Sequence, residues 1–184
     1  MQLRPQIQIQ TIIKAMMEDV IPALDSSNQL AMQSAQLTIG TLALIAQHLP
    51  LEYRYDCDEL ARLLKTAQQL QQQAGSVAKR GSAMAELDAA SRSAADVLDR
   101  ARAEPAEIVE AVRSLRAATA ETVRAVYAEG SDDVQNAVEK TVLAMSKEQL
   151  LRDRSWLLMQ GWEPNPQSVP AIDTLLAPLA GVGA

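Results

Sequence analysis

The chain's single cysteine and single histidine, Cys57 and His48, are the natural first candidates for chemistry. A nucleophile needs a base within reach, itself held by a third group. Cys57 falls where a helix is expected to begin, and a helix N-terminus favours a thiolate. Three carboxylates, Asp56, Asp58 and Glu59, crowd it and oppose the negative charge. A catalytic cysteine is therefore not expected. His48 falls in the last turn of an expected helix, where a protonated imidazole would complement the dipole. A structural role is its ordinary reading.

Metal and nucleotide chemistry find little support. A di-iron carboxylate centre of the ferritin type needs two Glu-x-x-His motifs, and residue 45, three before His48, is an isoleucine. Zinc sites built from Cys and His need more of each than one. The acidic cluster at 56–59 is accounted for by helix capping and the dipole. No Gly-x-Gly-x-x-Gly or Gly-x-x-x-x-Gly-Lys loop is present to cradle phosphate. No catalytic residue, metal or cofactor is expected, and the chain reads as a non-enzyme.

Two aromatic clusters remain as candidate interaction residues. Tyr53, Arg54 and Tyr55 stand together on an expected connector, a composition enriched at binding hot spots. Trp156 and Trp162, with Met159 between them, form the second. His48 joins the first as its nearest neighbour along the chain. The alternative for both clusters is that the rings cover the ends of a bundle, with their polar atoms at the wet edge.

The elements that must position these residues are helices. Of 184 residues, 48% are hydrophobic, yet Phe is absent and aromatics make up 3%. The core must be aliphatic and Ala-rich. The most apolar stretch, residues 26–49, carries one heptad stripe of Leu30, Leu37, Thr41 and Leu44. A neighbouring stripe holds Ala31, Ala35, Thr38, Leu42, Ile45 and Leu49. A helix apolar on all sides is buried or spans a membrane. Gln33, Gln36, Gln47 and His48 break the run well short of the roughly 20 apolar residues a span requires. A buried central helix is expected, with Gly40 admitting a close neighbour.

One-sided helices should surround it. The first starts near Pro5 on a stripe of Ile9, Ile13, Met16 and Val20, and ends before Pro22. Ser26 and Gln29 have capping-box spacing for the second, as do Asp56 and Glu59 for the third. The third carries Leu60, Leu63, Ala67, Leu70, Ala74 and Val77, and Gly81 is its expected terminator. A fourth runs over about 82–103 on Met84, Leu87, Ala94 and Val97. The fifth starts at Pro105 with Ile108, Val112, Leu115, Thr119, Thr122 and Val126 facing inward. A sixth follows Ser131, with a break at Ser146 left open. Pro164, Pro166, Pro170 and Pro178 then mark an irregular tail, which Ile172, Leu175 and Leu176 should dock.

The sequence thus predicts an all-α, up-and-down bundle of about six helices over residues 1–162. The Pro-rich C-terminal tail is 163–184. The net charge of −6 and scattered basic residues argue against nucleic acid. The N-terminus lacks the apolar core of a signal peptide, so a cytoplasmic location is expected. The functional expectation is protein–protein contact, as a homodimer or an accessory subunit. Its rival is an apolar small molecule, such as a fatty-acyl chain, held between helices.

Overall fold

The structure is a computed structural model that describes residues 4–74, 82–100 and 102–177. Among these residues the fold is all-α, with no strand. The helices are α1 (Pro5–Ala15), α2 (Gln29–His48), α3 (Glu52–Ala74), α4 (Ser82–Asp99), α5 (Pro105–Glu129), α6 (Asp132–Trp156) and the short α7 (Ile172–Leu175). They divide into two compact units. The first comprises Met1–Glu52 and Arg154–Ala171; the second comprises Tyr53–Asp153 and Ile172–Ala184.

The second unit holds the hydrophobic core. Leu60, Leu63, Ala67 and Leu70 of α3, Leu87, Ala94 and Val97 of α4, and Ile108, Leu115 and Val126 of α5 form one buried cluster with Val138 of α6. The expected stripes face inward because each helix is apolar on one side only. α4 and α5 pack against each other, and the small side chains of Ala94, Ala111 and Ala118 on them are buried. α5 begins as expected at Pro105, and the Glu107 carboxylate accepts a hydrogen bond from the Glu104 amide. Ile172 and Leu176 are buried in this unit.

The first unit is different, and here the sequence reading needs correcting. Ala35, Ser155 and Val169 are its buried residues among those described. α2 is therefore not a buried central helix. It packs against α1 and half-buries Ala31, Met32, Ile39 and Leu42 around Ala35. On the other heptad stripe Leu30 is 75% and Leu37 70% exposed, while Leu44 is half-buried. Gly40 meets no close neighbour: a Cβ there would have nothing within 4 Å. Lack of charge predicts burial only when another element is available to cover the face.

Several boundaries also move. Asn28 caps α2, its side chain accepting from the Ala31 amide, because Asp25 already accepts from the Ser27 amide and hydroxyl. α1 does not stop before Pro22. It runs on through a π-helical turn, Met16–Val20, and a last turn, Ile21–Ala23. The Ile21 amide bonds to the Met16 carbonyl, and this wider register lies next to the proline that cannot donate. α3 starts at Glu52 rather than Asp56, with an acidic residue in its first turn. Tyr53, Arg54 and Tyr55 are thus helical, not on a connector. α6 is unbroken at Ser146, and α4 ends at Asp99. Val77 and the expected terminator Gly81 lie outside the described residues.

Leu115→Ala, at a fully buried position of α5, should cost about 2–5 kcal/mol in urea unfolding. Leu37→Ala, on the open stripe of α2, should change stability by less than about 0.5 kcal/mol at high dilution. Equal losses for the two would contradict this division.

Candidate functional site

The candidate residues fall into the two units. In the first, His48 lies flat on the Trp156 ring, with centroids 3.9 Å apart and planes 21° from parallel. Its Nε2 is 2.7 Å from the Trp156 carbonyl oxygen. A carbonyl only accepts, so Nε2 carries the proton. Burial of the ring holds the His48 pKa below its ordinary value, against the Trp156 carbonyl and Glu52, which favour the cation. The protonated, dipole-complementing imidazole expected from sequence is therefore disfavoured near neutral pH. Trp162 stands apart, 79% exposed. It follows Gly161, whose φ of +73° closes the short 3-10 turn Leu158–Gln160. The Arg154 guanidinium grips the Glu163 carboxylate through two bonds of 2.9 and 2.8 Å and lowers its pKa.

In the second unit the first turns of α3 are tied down by polar contacts. The Tyr53 hydroxyl donates to the Ala103 carbonyl at 3.3 Å. The Arg54 guanidinium donates to the Ala177 carbonyl. The Tyr55 hydroxyl donates to Asp153 at 3.1 Å and accepts from Gln149 at 3.1 Å. Burial pushes its pKa up to about 12. Burial also raises the Cys57 thiol, with Asp56 adding to it and the Tyr53 hydroxyl opposing. Cys57 is thus a poor nucleophile near neutral pH.

The most constrained group was not legible as a candidate. Arg152 is 2% exposed. Its guanidinium sits 4.2 Å from the centre of the Tyr55 ring. It donates to the Tyr55 carbonyl and to Gln149, and lies 3.2 Å from an Asp58 carboxylate oxygen. Asp58 also takes a 2.8 Å bond from Arg62 and one from the Ala177 amide at 3.1 Å. Arg62 reaches on to the Leu175 carbonyl and to Glu148. Glu59, beside Asp58, is held by Arg116 of α5. Asp58 and Glu59, expected to cap a helix start, therefore bind arginines: Arg152 in the interior, and Arg62 and Arg116 nearer the surface. One signal was present: Glu59, Leu63, Thr66 and Leu70 share a single stripe by spacing, so polar groups fall on the buried face.

Compared with family models, with curated proteins and with solved structures, the chain matches none. The residues themselves must carry the reading. Among the described residues no group of three His, Cys, Asp or Glu is placed to hold a metal ion. No helix among them is long and apolar enough to cross a membrane. The Arg152–Asp58 pair is closed to solvent, so its work is to hold α3, α6 and the chain's last described residues together.

Asp58→Ala would strand a buried guanidinium and should cost about 3–5 kcal/mol. Adding Arg152→Met should restore part of that loss, as a double-mutant cycle in urea would show. For His48, the unfolded chain takes up a proton near pH 6.5 while the folded ring resists it. Stability contributed by the neutral ring is intact above that pH and falls as pH drops from 6.5 through the folded pKa. The chain has one histidine, so a single NMR resonance should titrate with a midpoint below 6.5. A midpoint above it would contradict the stacked, neutral ring.

Proposed function

We propose that the protein acts without catalysis, through protein–protein contact, as a homodimer joined by the first unit. One observation carries this reading: α2 contains no Asp, Glu, Lys or Arg in 20 residues, yet only Ala35 is buried. Leu30 and Leu37, at heptad spacing on the same stripe, are its most exposed large side chains, the geometry by which one helix seats on another. A chain of net charge −6 repels its own copy wherever like charges meet. The uncharged face of α2 avoids that repulsion, and a two-fold axis through it makes it self-complementary.

Size argues that α1 takes part. A 20-residue helix offers a strip about 30 Å by 10 Å, or about 600 Å² for a pair. A stable interface buries about 1,200–2,000 Å². α1 supplies further area through Ile12, 49% exposed, and Met17, 57% exposed. Two α1–α2 hairpins then make a four-helix arrangement.

Light scattering coupled to size exclusion should give a dimer mass at micromolar concentration. Leu30→Glu with Leu37→Glu should shift it to monomer with unchanged helical circular dichroism. A wild-type chain that stays monomeric at about 1 mM would overturn the reading.

A further inference from the structure

A groove of about 630 Å³ runs through the second unit between α3, α5 and α6. Its α5 wall is Arg116, Thr119, Ala120, Val123 and Arg124, one helix face by spacing. Leu63 of α3 and Val142 and Met145 of α6 continue the apolar lining. We propose that this groove binds a single-chain amphiphile with an anionic head, of the fatty-acid class, one per chain.

The groove's volume, and a buried hydroxyl without a partner in its wall, point to a small molecule. Small-molecule sites span about 300–1,000 Å³ and are mostly apolar with a few polar groups. Thr119 meets the second part of that description. It is 7% exposed, and its buried hydroxyl has no hydrogen-bond partner, an exception in folded proteins.

Charge sets the direction of the ligand. Arg124 lies near the turn that joins α5 to α6, and Asp153 lines the groove about three turns along α6 from Val142. Arg116 pairs with Glu59 and Arg124 with Glu121, yet their side chains stay 53% and 69% exposed. A guanidinium has five N–H donors, so each keeps donors for a carboxylate. The carboxylate head therefore sits at the α5 edge, and the hydrocarbon lies against Val123, Val142 and Met145.

Titration calorimetry and native mass spectrometry with dodecanoate, below its micelle concentration, test this. Dodecanoate should saturate at one per chain, and dodecylamine should bind at least about fivefold more weakly. Ala120→Trp, at an exposed position in the wall, should weaken dodecanoate at least about tenfold with an unchanged melting temperature. Arg124→Gln should weaken dodecanoate but not dodecanol. A diazirine-bearing fatty acid should label α5 and α6 of the wild-type chain, which keeps the test open if Ala120→Trp folds poorly. Absence of saturable binding, a preference for the amine, unaltered binding to a folded Ala120→Trp variant, or labelling confined to other helices would each overturn the proposal.

Discussion

In the second unit the structure turns on one interaction, the Arg152 guanidinium against the Asp58 carboxylate. Both are nearly inaccessible. Taking two charges out of water costs several kcal/mol for each ion unless the remaining donors and acceptors are filled. They nearly are. Asp58 also accepts from Arg62 and the Ala177 amide, and Arg152 also serves Gln149 and the Tyr55 carbonyl. The Arg152 Nε remains without a partner. The geometric demand is severe, because a charge pair left half-made inside a protein is worse than none. α3, α6 and the segment after α7 are thereby held to one arrangement, where an aliphatic core alone would tolerate sliding.

That constraint draws in part of the aromatic-basic cluster at 53–55, while Tyr53 stays 44% exposed. Tyr55 lies under Arg152, while the Tyr53 hydroxyl and one Arg54 guanidinium nitrogen donate to backbone carbonyls. The elevated Tyr55 pKa and raised Cys57 pKa have the same origin, burial around the foot of α3. Perturbed titration often marks functional sites. Here it accompanies a polar clamp whose groups pair with one another.

The stripes of α3, α4 and α5 were legible in the sequence because each is one-sided. A face with Leu60, Leu63, Ala67 and Leu70 has a single reading. α2 was misread because it has no polar face to fix its orientation. Its two stripes look alike in composition, and sequence alone does not separate burial within a chain from burial between chains. Arg152 was illegible for another reason. Beside Leu150 and Leu151 it reads as the solvated side of a helix, and its partner is on a different helix. The groove was also hidden, since nothing in the spacing of Val123, Val142 and Met145 shows that they lie only half-buried.

The contrast between the units bears on what stabilises the first. Helical stability in proteins comes mostly from packing an apolar face, and isolated helices shorter than about 12–15 residues are marginal in water. α1 and its continuation to Ala23 have no buried residue; the buried residue of α2 is an alanine, which contributes little area. Removing apolar surface from water yields about 25 cal/mol per Å², so this hairpin gains little from its own contacts. Apolar area left in water lies at Leu30, Leu37, Ile12 and Met17. Covering that area with a second hairpin would stabilise fold and association together, and the stability of the first unit would then rise with protein concentration.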